Sequence, residues 1–234
     1  MTERDLSLHP RAEGVRESRP VMPPVHFSPK EILSHYNESM DGIRKQFSVA
    51  KELLESGNVN GGKMIWRSQV VLAEGLLDYF IHEISKYSLF QMFTGQWDKS
   101  EKYGAFMIPL SKVEYAIGNN GSDEWFFEYL NDRFSRDVFL SLESMRDQLN
   151  LIGIGFVPAM VKAFPQDKEE TSKKDGALII QEFFRRRNEI AHQNDRSHSN
   201  AEQTDISEEF VIKYIGRIES IVKAIMDIVA EKNS

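Results

Sequence analysis

The chain contains no cysteine. That removes disulfides, thiolate zinc sites and cysteine nucleophiles, and it fits a cytoplasmic protein. It also lacks positive charge in excess, since 29 Lys and Arg face 36 Asp and Glu for a net charge of −7. Proteins that coat nucleic acid without regard to sequence are usually basic, so any contact with a polyanion here must be local. No apolar run approaches the roughly 20 residues that span a bilayer, so no membrane partner is expected. The opening MTERDLSLHPRAEGVRESRP mixes both charges and has no apolar stretch, unlike a secretory signal. Gly61-Gly62-Lys63 lacks the spacing, and the following Ser or Thr, of a phosphate-binding loop. No alternating strand pattern of useful length occurs anywhere, and no internal repeat emerges.

What is present is helical periodicity. A length of 234 residues, 41% hydrophobic, suits one decorated domain or two small ones with a substantial core. Residues 1–27, with Pro10, Pro20, Pro23 and Pro24, read as a flexible N-terminal arm, and 28–234 as the folded domain. Ser28-Pro29-Lys30-Glu31 is a capping box with proline at the first helical position. Behind it Ile32, Tyr36, Ile43, Phe47, Ala50 and Leu54 repeat at helical spacing. The Asn58–Gly62 stretch reads as a turn, and a long second helix is expected over about 63–93. Its stripe is Trp66, Val70, Ala73, Leu77, Phe80 and Ile84, widened by Leu72, Leu76 and Tyr79.

The stretch 94–135 is an irregular insertion, with short helices expected near 110–117 and 124–134 around a turn at Asn119–Ser122. Its aromatic cluster, Trp125, Phe126, Phe127 and Tyr129, fits core packing better than a base-stacking platform. Helical spacing resumes at Val138, Leu142, Met145, Leu149 and Ile152 and stops at Gly153-Ile154-Gly155. A short helix near 157–164, a charged loop at 166–175 and a helix over about 175–192 follow. That helix carries Leu178, Ile179, Phe183, Ile190 and Ala191 as its apolar residues. A last helix opens at the capping-box pattern Asp205-Ile206-Ser207-Glu208. The fold class is all-α.

The chemistry concentrates in FFRRRNEIAHQND, residues 183–195. On a helix Asn188 and His192, four apart, share a face, and Arg187 lies about 140° from His192 on its flank. His192 falls in the last turn, where the macrodipole favours a protonated imidazole by about 0.3–1 kcal/mol. An imidazole titrates near neutrality, where general acid–base work is most efficient. The plainer reading is a dipole-complementing helix end paired with Glu182, Glu189 or Asp195. His198, six residues beyond His192, fits no common metal-ligand spacing, and no metal or cofactor is expected. Glu74, Asp78 and Glu83 on the second helix read as solvated or structural.

Arg187-Asn188-Glu189-Ile190-Ala191-His192 resembles the R-polar-x-x-x-H motif of the HEPN superfamily, and the chain looks most like its RiboL-PSP type. Trp66–Val71 through Leu77–Phe80, Leu142–Ile154 and the final apolar helix are similar to corresponding segments, so the resemblance spans about 29–232. It implies a helical bundle that dimerises with two motifs facing one cleft, and metal-independent RNA cleavage. Arg187, Asn188 and His192 are the catalytic residues it implies; Arg185 and Arg186 would add attraction for the RNA backbone. Partners would be an RNA substrate, a second copy of the chain and an antitoxin or other regulatory protein. The competing function is a non-catalytic dimerisation or adaptor module that binds a protein through 94–135.

Overall fold

The computed structural model describes residues 25–118 and 122–234. Among them the chain forms eight α-helices and no strand, as the periodicity implies: α1 Pro29–Glu55, α2 Val59–Phe93, α3 Leu110–Gly118, α4 Glu124–Phe134, α5 Leu142–Leu151, α6 Phe156–Ala163, α7 Glu169–Gln193 and α8 Glu208–Lys232. Residues 1–24 of the expected arm, and Asn119, Asn120 and Gly121 of the expected turn, lie outside the described residues. The last residues of the expected arm are packed: the His26 ring stacks on Phe127 at 3.6 Å, and Phe27 lies against the core.

The capping box at the start of α1 forms as read. Glu31 N donates to Ser28 Oγ at 3.3 Å, and Ser28 N donates to Glu31 Oε2 at 2.8 Å. α2 packs against α1, α4, α7 and α8, which makes it the central helix. It begins at Val59, earlier than the turn reading allowed, capped by Asn58 Oδ1, which accepts from Gly61 N at 3.0 Å. Gly62 is a contact residue and not a turn residue. A Cβ there would sit 2.6 Å from Leu54 Cγ, so its absence lets α1 and α2 approach. The predicted stripe of α2 is buried, together with Leu76, whereas Leu72 and Tyr79 are exposed and do not widen it.

In the insertion, α3 and α4 fall where the sequence placed them. Phe126, Phe127, Tyr129 and Leu130 of α4 are buried and Trp125 packs edge-on to Phe93, so the aromatic cluster is core. α5 starts at Leu142, capped by Ser141, and Val138 before it is exposed. Gly153 and Gly155, at φ +71° and +81°, turn the chain into α6. α7 begins at Glu169, six residues earlier than its charged sequence suggested. Buried Ser172 and Gly176 draw this turn against α6, and a Cβ on Gly176 would lie 2.4 Å from Met160 Sδ. α8 is capped by Ser207, whose Oγ accepts from Phe210 N at 3.2 Å, and not by Asp205, which pairs with Lys63.

Candidate functional site

α7 runs unbroken through the arginine–histidine stretch, and successive side chains, about 100° apart, send the three arginines in three directions. Arg185 is exposed and pairs with Glu189 at 2.6 Å, one turn on. Arg186 is buried. Its guanidinium grips Asp195 with both Nη atoms, Nη2–Oδ2 at 2.9 Å, and lies over the Phe210 ring. Its charge is therefore occupied inside the protein, which corrects the reading of Arg186 as an RNA-backbone contact.

Asp195 carries a second buried cation. Arg67 of α2 donates from Nε to Asp195 Oδ2 at 2.7 Å and from Nη2 to Thr204 O at 2.6 Å. The carboxylate reaches this position because the chain leaves α7 through two left-handed residues, Asn194 at φ 52° and Asp195 at φ 60°. Such a conformation is tolerated chiefly by Gly, Asn and Asp. The Arg67–Asp195–Arg186 cluster thus ties the end of α7 to α2, immediately beyond His192. Asp195 was legible as a partner for the arginines; Arg67, more than a hundred residues away, was not.

Arg187 points along the surface. Its Nη1 donates to Asn188 Oδ1 at 3.0 Å and lies 3.3 Å from His192 Nε2. Arg187, Asn188 and His192 are thereby brought together, with His192 exposed and the other two half-buried. A guanidinium has no acceptor lone pair, so Nε2 must accept in this arrangement and the ring proton belongs on Nδ1. Ile190 packs against the core as expected, but Ala191 and Leu178 are exposed and not part of the buried face. His198 lies exposed in the connection beyond. Among the described residues no three His, Cys, Asp or Glu side chains converge as metal ligands.

Beneath Arg187 lies a residue first read as solvated or structural. Glu74 of α2 is 1% exposed, so it is not solvated. Tyr214 Oη donates to its Oε2 at 2.9 Å, whereas its Oε1 has no hydrogen-bond partner among the described residues. Arg187 Nε is likewise buried and without a partner among the described residues. Burial pushes the Glu74 carboxyl up to about 7, although the Tyr214 bond and the Arg187 charge act to lower it. Asp78, one turn further along α2, is also raised by burial, against a bond from Phe139 N at 2.8 Å and the charges of His82 and Arg187. Glu83 pairs with Lys86 at 2.8 Å. Two carboxyls therefore act on Arg187 from below while His192 meets it from above. The signal for Glu74 was its register: it falls between Val70 and Leu77 on the buried stripe of α2, where a charge is conspicuous.

No helix among the described residues is long and apolar enough to cross a membrane. Comparison with curated proteins and with solved structures returned no match. A family model described as RiboL-PSP-HEPN matches residues 31–231, from the first turn of α1 to the last of α8. The matched span holds Arg187, Asn188 and His192 together with Glu74 beneath them, and on that match the chain belongs to the RiboL-PSP type of the HEPN superfamily.

Proposed function

We propose that this protein is a metal-independent endoribonuclease that acts as a homodimer in a bacterial toxin or antiphage setting. The observation that carries the reading is the contact of Arg187 Nη1 with His192 Nε2 at 3.3 Å on an exposed helix end. A phosphate arriving at Arg187 offers its guanidinium a stronger, charge-assisted acceptor than a neutral imidazole. Nε2 is then released with its lone pair free. It takes the proton of the RNA 2′-hydroxyl as that oxygen bonds to the adjacent phosphorus. The P–O5′ bond breaks, and the leaving oxygen collects a proton from the His192 of a second protomer facing the same cleft, which enters the turnover as the imidazolium and leaves it neutral. Arg187 stabilises the charge that builds on the phosphoryl oxygens, and Asn188 holds Arg187 in line. The ends produced are a 2′,3′-cyclic phosphate and a 5′-hydroxyl. Arg185, exposed and paired with Glu189 at the surface where a phosphate can compete for it, adds backbone attraction.

The test is cleavage of single-stranded RNA in EDTA, with the new ends identified chemically. Wild type should cut; His192→Ala and Arg187→Ala should each lower the rate by roughly a hundredfold or more. Both should keep the wild-type helical circular dichroism, because neither side chain fills the core. Wild-type rates in both variants would eliminate the proposal. A non-catalytic adaptor, docking a protein through the insertion, would instead show no turnover in any variant.

A further inference from the structure

A cavity of about 860 Å³ opens on the insertion, between the segment 102–112, α4 and α5. It is not the motif cleft. None of Arg187, Asn188 and His192 lines it; its α5 wall is Asp147 and Leu151. In a chain of net charge −7, this cavity gathers four cations, Lys102, Lys112, Arg133 and Arg136, against two carboxylates, Asp132 and Asp147. Arg133 is partly neutralised, with Nη1 at 2.9 Å from both oxygens of Asp137. Among the described residues, no ion pair engages Lys102, Lys112 or Arg136.

The lining also carries apolar side chains, on the same 102–112 segment as Lys102 and Lys112. Phe106 is half-buried with its ring braced by Phe126 and Tyr129, and Met107 beside it is 86% exposed. Tyr129 Oη donates to Met107 O at 3.0 Å, which fixes this wall to α4. The volume lies within the ~300–1,000 Å³ usual for ligand sites. Cations without an ion pair among the described residues, lining one cavity with apolar, sulfur- and aromatic-bearing side chains, suit a ligand that carries both an anionic group and a flat apolar one.

We propose that this cavity is a nucleotide-binding site distinct from the motif cleft. Phosphate oxygens lie on Lys102, Lys112 and the Arg136 fork, which matches phosphate geometry. The base lies against Phe106 and Met107, and Asp132 or Asp147 accepts hydrogen bonds from sugar hydroxyls. The site stands whether or not the motif cleaves RNA. Its nucleotide comes either from solution or as one unit of an RNA strand.

The test uses the full chain carrying His192→Ala, so that RNA is not consumed, without divalent metal. ATP is titrated by calorimetry, and a fluorescently labelled single-stranded RNA oligonucleotide by anisotropy. At least one probe should bind, and Lys112→Glu with Arg136→Glu should weaken that binding about tenfold or more, as expected for lost charge-assisted bonds. Both side chains are exposed, so the variant should keep the parental melting temperature. Binding of ATP identifies a free nucleotide as the ligand; binding of RNA alone identifies a strand held away from the cleft. Failure of both probes to bind overturns the site. So does RNA binding that is unchanged by these reversals but lost in Arg187→Ala. Cleavage, measured separately in the chain that retains His192, reports on the motif and not on this cavity.

Discussion

Three adjacent arginines of identical chemistry do three different things because a helix turns each one to a new environment. Arg185 meets water and a single exposed carboxylate, an arrangement worth a fraction of a kcal/mol. Arg186 is buried against Asp195, with Glu189 and the Phe210 ring beside it. Arg187 reaches His192 and lies within electrostatic range of the buried Glu74 carboxyl. The spacing of Asn188 and His192, and the offset of Arg187, were legible because they follow from helix geometry alone. Glu74 was less so, since its role depends on which helix lies across from it. Its titration gives a prediction at this scale. The Glu74 carboxyl titrates near 7 in the folded chain against an ordinary 4.5. Below 4.5 it is protonated in both states. Between those values the folded chain keeps a proton that the unfolded chain has released, so stability falls as pH rises, and above about 7 the whole penalty is felt. Its size is on the order of 3 kcal/mol. Glu74→Gln keeps an acceptor for Tyr214 but cannot ionise. Urea denaturation from pH 4.5 to 8 should therefore show the variant gaining on wild type as pH rises; parallel curves would refute the assignment.

At the scale of elements, the end of α7 is held by the Arg67–Asp195–Arg186 cluster and not by α7's own propensity. Removing one partner from a buried ion network strands the remaining charges, which costs about 3–5 kcal/mol. Asp195→Ala strands two arginines at once, so it should lower urea-denaturation stability by at least that much. Arg185→Ala, which breaks only an exposed pair, should stay within about 0.5 kcal/mol of wild type. Equal effects of the two would mean that the cluster holds nothing. Helix boundaries were harder to read than helix existence, for a physical reason visible at two glycines. Gly62 falls in the expected turn and Gly176 at the expected start of α7, yet each lies inside a helix where a neighbouring element comes too close for a Cβ. Local sequence shows the missing side chain but not the neighbour that requires its absence. The capped starts at Ser28 and the two short helices of the insertion were legible because their signals are contained within a few residues.

At the scale of the whole molecule, the outer side of α7 carries exposed apolar side chains near the motif. Leu178, Arg185 and His192 recur every seven residues, so they share one face, and Phe184 flanks it. Leu178 is 54% and Phe184 39% exposed, although the helix around them buries Ile180 and Phe183 in the core. Apolar side chains left outside a packed helix, beside the motif, are where a second copy would seat. That placement would bring two His192 side chains to one opening, which the proposed proton transfers require. Leu178→Glu combined with Phe184→Glu adds charge to that face without touching the core, so each protomer should fold as before. Sedimentation should then show wild type as a dimer and the variant as a monomer, with RNA cleavage lost in the monomer although Arg187 and His192 are intact. A variant that sediments as a monomer and still cuts at the wild-type rate would show that one protomer supplies both proton transfers, and the two-histidine scheme would have to be abandoned.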